Sequence, residues 1–462
     1  MFGMKKNTKQ GLNIIIVGCG KVGSTLVEQL SKEGHDITII DTNPERIQEY
    51  TNLYDIMGLT GNGASYSVQV EAGIENTDLL IAVTGSDELN LLCCTIARQV
   101  ADCAAIARVR NPDYSKEVGY LRKKLGLAMI INPELEAATE IARILYLPTA
   151  LEVNSFAHGQ AELIKFKIPA GNALDGISIS NLNLTIPVKV LICALERDGE
   201  VHIPSGDYRL QAGDIISFVA PRRKVRGFLS NIAVKTHRVK STMIIGGGKS
   251  AYYLASQLLH MGRAVKIIEK DKARCEELSL LLPKAVIING DGSDGELLKE
   301  EGIEHAESFV PLTGMDEENI MLSLHAKDIS DAKVITKVNR MTFKKVIASL
   351  DLGSVIYPRQ ITSEAIIAYV RAKNDSKNNN IETLYHMFDS RVEAIEFRVD
   401  SPSDVTDIPL KDLKTKPQVL IAFINRNGTI IIPSGQDSIL VGDTVMVVTA
   451  HSGFDDLQDI LQ

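Results

Sequence analysis

The sequence contains no apolar run near the ~20 residues that a membrane-spanning helix requires. Its six cysteines include no C-x-x-C pair and have no histidines at zinc-ligand spacing, which excludes the common structural zinc motifs. Cys93 and Cys94 lie in LNLLCCTIA, an apolar helical pattern where small buried residues are expected; Cys19, Cys103, Cys193 and Cys275 are likewise read as core. Net positive charge is also missing: the formal balance is −8, which argues against generic nucleic-acid binding. The N-terminal MFGMKKNTKQG carries lysines, but the apolar segment behind it (13–17) is too short for a signal-peptide core. A cytoplasmic protein is expected.

What is present is an ordinary globular composition, 45% apolar and 23% charged, over 462 residues. That length suits about three or four domains of ~100–200 residues. The chain also repeats itself. Gly18-Cys-Gly20-Lys-Val-Gly23 returns 228 residues later as Gly246-Gly-Gly248-Lys-Ser-Ala251, and Asp41 returns as Glu269. TGSDELN at 84–90 returns as TGMDEEN at 313–319, and IPSGDYRLQAGDII from Ile203 returns as IPSGQDSILVGDTV from Ile432. Gly-Asn-Gly at 61–63 answers Gly-Asp-Gly at 290–292. So many anchors in one order mean a duplication.

Each copy has two parts. In the first, NIIIVG, DITIID, DLLIAVT and CAAIARV read as strands separated by amphipathic helices such as VGSTLVEQLSKEG, the pattern of a parallel sheet covered on both faces. The second part, KVLICALERDGEVHIPSGDYRLQAGDIISFVA in copy one, has short β-rich runs between Asp-Gly, Ser-Gly and Ala-Gly-Asp turns, a small α+β module. The expected domains are 1–145, 146–230, 231–370 and 380–462. The basic segment 221–241 and the polar segment 371–380 are expected to be solvated connectors.

The glycine pattern sits between a strand and a helix, the context in which it binds dinucleotides. Gly18 permits the tight turn, Gly20 lets backbone approach a pyrophosphate, and Gly23 lets helix and sheet pack closely. Asp41, ending the second strand, can accept hydrogen bonds from ribose hydroxyls and would repel a 2′-phosphate. Thr84 and Gly85 follow the fourth strand at the sheet edge where ligands sit, and Arg108 ends the fifth, where its fork can take phosphate. The second copy offers Gly246, Gly247, Gly248, Glu269, Thr313, Gly314 and Lys337. Lys21 and Lys249 stand in the glycine loops themselves.

Catalytic machinery is not evident. None of the nine histidines has an acidic constellation repeated in the other copy: His35 aligns with Arg263, and His202 with Ile431. The GKS of copy two is not a P-loop, because Met243 stands where the first glycine belongs. An NAD-dependent oxidoreductase with tandem cofactor domains is the alternative to a non-catalytic nucleotide sensor.

The doubled arrangement GCGKVG…IID…GNG…TGSDELN…ARVR followed by IPSG…AGD resembles the TrkA family, peripheral subunits of bacterial Trk-type potassium uptake systems built from two RCK units. The resemblance covers nearly the whole chain. It implies an α/β fold of two Rossmann-like parallel-sheet domains, each followed by a small α+β RCK C-terminal subdomain. It implies a regulator without catalytic residues or a metal, assembled as a homo-oligomeric ring, a tetramer, at the inner face of the cell membrane. There it would gate a membrane-embedded potassium transporter in response to NAD(H) or ATP/ADP. Carried over by position, the first nucleotide site is Gly18, Cys19, Gly20, Lys21, Val22, Asp41, Thr84, Gly85 and Arg108. The second is Gly246, Gly247, Gly248, Lys249, Ser250, Glu269, Thr313, Gly314 and Lys337. GGGKSA and Lys337 are the departures from the family pattern.

Overall fold

Ile14, Ile15 and Ile16 follow one another without a polar break, and each is at most 1% exposed. A strand so buried on both faces must lie inside a sheet covered on both sides. The computed structural model, which describes residues 11–147, 150–234, 239–340, 344–350, 352–374, 380–388 and 391–462, places it at the centre of one. These residues divide into two units: the chain up to Ala137 with Pro358–Ile367, and Ala138–Tyr357 with Ala368–Gln462.

In the first unit, strands β1 (Asn13–Val17), β2 (Asp36–Asp41), β3 (Met57–Thr60), β4 (Leu79–Ala82), β5 (Ala104–Arg108) and β6 (Met129–Ile131) form a parallel sheet ordered β3-β2-β1-β4-β5-β6. The chain works outward from β1 to one edge, then restarts at β4 toward the other. The carboxyl ends of β1 and β4 therefore flank the switch point, where open α/β sheets bind ligands. Helices α1 (Lys21–Lys32), α2 (Pro44–Leu53), α3 (Tyr66–Glu71), α4 (Asp87–Val100), α5 (Pro112–Ser115) and α6 (Val118–Leu125) connect the strands, and α7 (Pro133–Tyr146) follows them, leaving this unit after Ala137. Cys93, Cys94 and Cys103 are fully buried in this core with Ile15, Leu80 and Ala105. All six cysteines are buried and free, and burial pushes the Cys19, Cys93 and Cys193 thiols up to about 12. They are packing residues, not nucleophiles.

The second unit contains both small modules and the second parallel sheet. The first module has β7 (Glu152–Phe156), β8 (Ala161–Lys167), α8 (Ile179–Thr185), β9 (Leu191–Arg197), β10 (Glu200–His202), β11 (Ile215–Pro221) and α9 (Arg222–Asn231), in an antiparallel sheet ordered β10-β9-β11-β8-β7. Next come β12 (Ser241–Ile245), α10 (Lys249–His260), β13 (Ala264–Glu269), α11 (Lys272–Leu281), β14 (Val286–Asn289), α12 (Gly295–Glu300), β15 (Ser308–Pro311), α13 (Asp316–Ile329), β16 (Lys333–Lys337), α14 (Lys344–Ser349) and β17 (Ser354–Ile356). Their order, β14-β13-β12-β15-β16-β17, repeats that of the first sheet. After α15 (Pro358–Asn374), the strands β18 (Ile381–Met387), β19 (Val392–Arg398), β20 (Val419–Arg426), β21 (Thr429–Ile431) and β22 (Thr444–Thr449) repeat the small module as β18-β19-β22-β20-β21. The two modules share one apolar core in which Phe156, Leu163 and Val219 meet Phe423, Met446 and Val448. The Phe156 and Phe423 rings lie edge-on, 6.5 Å apart.

Two expected connectors are not connectors throughout. In the basic stretch 221–241, Arg222–Asn231 is a helix because Val225, Phe228 and Leu229 recur on one face and are buried; the Phe228 ring lies 4.8 Å from that of Phe218. The charges of this segment concealed its amphipathic period. In 371–380, α15 continues through Asn374. Residues 235–238 and 375–379 of these two stretches lie outside the described residues.

One buried acid in the first unit has a measurable consequence. Glu136 of α7 accepts a hydrogen bond from the Thr362 hydroxyl at 3.2 Å. Burial pushes its carboxyl up to about 7, against the opposing hydrogen bonds from Thr362 and Asn132. The folded value lies above the unfolded one, so folding retains the proton. The stability linked to this group is full below pH ~4.5 and is lost as pH rises through about 7. Glu136→Gln should flatten that loss and, at pH 8, be more stable than the parent by roughly 1–3 kcal/mol. Urea titrations of both proteins across this pH range check it; parallel pH profiles would contradict it.

Candidate functional site

Helix α1 begins at Gly20 without any side-chain cap, whereas α2 and α4 are capped by Asn43 and Ser86. The amides of its first turn have no intrahelical acceptor and carry the positive end of the helix dipole. The three glycines before and within this turn serve different needs. Gly18 has φ +98°, and a Cβ there would lie 2.9 Å from the Thr84 nitrogen. A Cβ on Gly23 would fall 2.0 Å from the Gly18 carbonyl oxygen. Gly20 has an ordinary φ of −74°, and nothing lies within 4 Å of its missing Cβ. Gly18 and Gly23 are thus required by the fold, while Gly20 leaves space in front of the uncapped helix.

Asp41, at the tip of β2, ties this turn down. Its Oδ2 accepts the Cys19 amide at 2.7 Å and its Oδ1 the Asn43 amide at 2.9 Å, with Arg46 Nη1 at 3.8 Å from Oδ2. A carboxylate has about four acceptor positions, so it can also receive a ribose hydroxyl. Across the switch point, the motif TGSDELN acts as a clamp. The fully buried Asn90 accepts from the Thr84 amide at 2.8 Å and hydroxyl at 2.7 Å, and donates to the Arg108 carbonyl at 2.9 Å. Asp87, three residues earlier and so on the same helical face, accepts from the Arg110 and Asn111 amides at 2.8 and 2.7 Å. The ends of β4 and β5 are held in register by two side chains of one helix turn.

These elements enclose a cavity of about 470 Å³. Of the residues expected in the first site, Gly18, Gly20, Lys21, Asp41, Thr84, Gly85 and Arg108 line it. Cys19 and Val22 do not: their side chains are 2% and 5% exposed and turn into the core, leaving the Cys19 amide bound to Asp41. Arg46, Asn62 and Arg110 also line the cavity and were not foreseen. Asn62 had a signal, since it is the tip of the repeated Gly-Asn-Gly, and Arg110 closes the ARVR motif; Arg46 had none. Gly63 of that loop packs so tightly that a Cβ would sit 2.2 Å from Val17 Cγ1, which brings Asn62 to the mouth.

The cavity is electropositive at one side. The Arg108 guanidinium donates to the Thr84 carbonyl, yet its buried Nε has no hydrogen-bond partner among the described residues. Burial, and secondly the nearby Arg110, lower its pKa. A desolvated cation with an unused donor, facing an uncapped helix terminus across a glycine-made gap, fits a phosphate- or pyrophosphate-bearing ligand.

The second copy keeps the frame and changes the charges. Gly246 has φ +93°, Gly248 is open at its Cβ position, and α10 starts without a side-chain cap. Ala251, standing for the third glycine, is fully buried, and Ser250 is 8% exposed. Glu269 accepts the Gly247 amide at 2.5 Å and the Asp271 amide at 2.8 Å, as Asp41 does in copy one. Asn319 bonds the Thr313 amide and hydroxyl, both at 2.9 Å, and the Lys337 carbonyl at 3.1 Å. Lys337 donates to the Leu312 carbonyl at 3.1 Å. Arg274, the counterpart of Arg46, donates its Nε to the Gly247 carbonyl at 2.7 Å and so pins the turn. Arg110 is replaced by Asn339 and Asn62 by Asp291. Lys249 and Gly314 keep the sequence places of Lys21 and Gly85.

The TrkA-N domain model matches residues 14–133 and 242–358, and the TrkA-C domain model matches 163–233 and 394–462. The chain is 31% identical to the Trk system potassium uptake protein TrkA of Haemophilus influenzae, over 94% of this chain and 95% of the relative. It is 32% identical to the Archaeoglobus fulgidus Trk system potassium uptake protein TrkA homolog, over 98% and 100%. Among solved structures, it is similar to the GsuK channel bound to NAD, with a TM-score of 0.63 at 16% identity, over 96% of this chain and 78% of that one. At that identity the likeness establishes fold alone, two Rossmann-like domains with RCK C-terminal subdomains.

Gly20→Val is the cleanest probe of the first cavity, because its Cβ meets no protein atom. The variant should match the parent in thermal unfolding and lose at least about tenfold in adenine-nucleotide affinity by calorimetry, the effect of filling a phosphate's place. Unchanged affinity in a folded protein would remove the turn from the site. Asn90→Ala should cost about 1–3 kcal/mol in stability, since it leaves the Thr84 amide buried and unpaired, and should weaken the same ligand.

Proposed function

Because the chain belongs to the TrkA family, matched by that family's domain models in both halves, we propose that it is a nucleotide-responsive regulatory subunit of a Trk-type potassium-uptake system and not an enzyme. Its ligands are adenine nucleotides, NAD(H) or ATP/ADP, held by the residues placed in the two copies: glycine turn, strand-tip acid, threonine loop and strand-tip cation. It works at the cytoplasmic face of the membrane through a membrane-embedded, potassium-translocating partner, assembled as a homo-oligomeric ring.

The observation that carries this reading is the shared core of the two small modules. A change at one module is transmitted to the other through Phe156, Phe423 and their neighbours, because packed interiors deform little and move as bodies. A ligand gates only by its differential affinity for two shapes, and coupling energies of about 1–3 kcal/mol suffice. Copy one lines its cavity with Lys21, Arg46, Arg108 and Arg110, the last also bound to Asp87, whereas copy two commits Arg274 to its own turn and substitutes Asn339 for an arginine. The first cleft is therefore the stronger phosphate site.

Purified protein should sediment as a homo-oligomer at micromolar concentrations, and ADP, ATP or NAD should alter potassium flux through proteoliposomes containing it and its transporter. A monomer throughout, flux indifferent to every nucleotide, or turnover of NADH with a small carbonyl substrate would overturn the proposal.

A further inference from the structure

A second group with an unpartnered buried atom acts on Arg108 from outside the first cavity's lining. Strand β5 pairs with β6 so that Arg108 stands opposite Ile131, and α7 begins two residues beyond Ile131. Glu134 therefore lies in the first turn of α7, next to the end of β5. Its carboxylate attracts the Arg108 guanidinium, yet the buried Glu134 Oε2 has no hydrogen-bond partner among the described residues, and neither has the buried Arg108 Nε. Asp87, the other acid near Arg108, is already bound by the Arg110 and Asn111 amides and by Arg110 Nε at 3.2 Å. Glu134 does not line the cavity; Arg108 does. The guanidinium thus lines the ligand's place and also feels an acid that has a spare acceptor.

We infer that Glu134 is a positioning residue that competes with the ligand for Arg108 and so sets how much negative charge the first cleft accepts. This rests on reading the cleft as a nucleotide site. An acid at a helix N-terminus is ordinarily a dipole partner that faces water; here one of its oxygens is buried, where an unmet acceptor is costly. When a phosphate takes Arg108, Glu134 loses its counter-charge and repels the incoming anion. That penalty grows with ligand charge: least for NAD, whose pyrophosphate is diesterified, more for ADP, most for ATP. The competition is confined to copy one. In copy two, Lys337 stands opposite Ile356 in the same register, and the residue three beyond that strand end is Arg359, not an acid.

Calorimetry on the full chain with NAD, ADP and ATP at fixed ionic strength tests this, using Glu134→Gln, Glu134→Asp and Arg108→Gln. Glu134→Gln should strengthen ATP binding to the first site by roughly 3–30-fold, ADP less and NAD least, with the second site unchanged. Glu134→Asp, which keeps the charge, should stay near the parent's order of affinities. Arg108→Gln should weaken all three ligands and erase the effect of Glu134→Gln in the double variant. Equal changes for all three ligands, or Asp behaving like Gln, would mean that Glu134 serves only the helix, and would overturn the inference. If the parent binds none of the three in the first cleft, and Arg108→Gln changes nothing, the reading of the cleft itself fails. Should Glu134→Gln not fold, an ATP-to-NAD affinity ratio in Glu134→Asp that departs from the parent's as Arg108→Gln does would still contradict it.

Discussion

A helix that begins without a cap governs the first cleft. Gly20 cannot supply the oxygen that Asn43 and Ser86 give to α2 and α4, so the first amides of α1 are left for something from outside. The neighbourhood is arranged around that deficit. Asp41 holds the turn by the Cys19 amide, and Gly18 lets β1 pass close to Thr84. Gly23 lets α1 lie against the turn, and Asn90 fixes Thr84 and Arg108 on the far side. Close packing is placed where it shapes the gap, which is lined by the cations Lys21, Arg46, Arg108 and Arg110 together with Asp41 and apolar residues.

Duplication shows which of these parts are structural. The positive-φ glycine, the acid on the amide of the next residue and the Thr–Asn clamp persist in both copies with nearly the same bond lengths. What varies is charge: Asn62 against Asp291, Arg110 against Asn339, Arg108 against Lys337, Glu134 against Arg359, and of these Asn62, Arg108 and Arg110 line the first cavity. The two copies thus share one design and differ in electrostatics. The two small modules share one apolar core.

Much of this was legible in the sequence. The alternation of apolar strands and amphipathic helices and the glycine turn are local patterns, and the repeat gave each a second instance; the switch point came from the observed strand order. TGSDELN was visible as a repeat that opens with Thr84 and Gly85 at a strand end; that Asp87 and Asn90 clamp the ends of two strands needs the tertiary register. Arg46 and Glu134 could not be found at all: Arg46 shows no local pattern that sets it apart on its helix, and the relevance of Glu134 comes from strand ends far apart in sequence being neighbours in the sheet. Helix α9 was missed for a different reason: four basic residues among its first five hid a buried stripe of Val225, Phe228 and Leu229. The short sixth strand, Met129–Ile131, lies in GLAMIIN, a run too brief to distinguish from the end of a helix.

The central claim is that the uncapped terminus of α1 is a phosphate site. Its most direct test is a crystal structure of the full chain grown with NAD or ADP. The expected result is a pyrophosphate within hydrogen-bond distance of the first amides of α1, with a ribose hydroxyl on Asp41 and Arg108 turned toward phosphate oxygen. Ligand density elsewhere on the chain, with the Gly20 gap filled by solvent alone, would contradict the account.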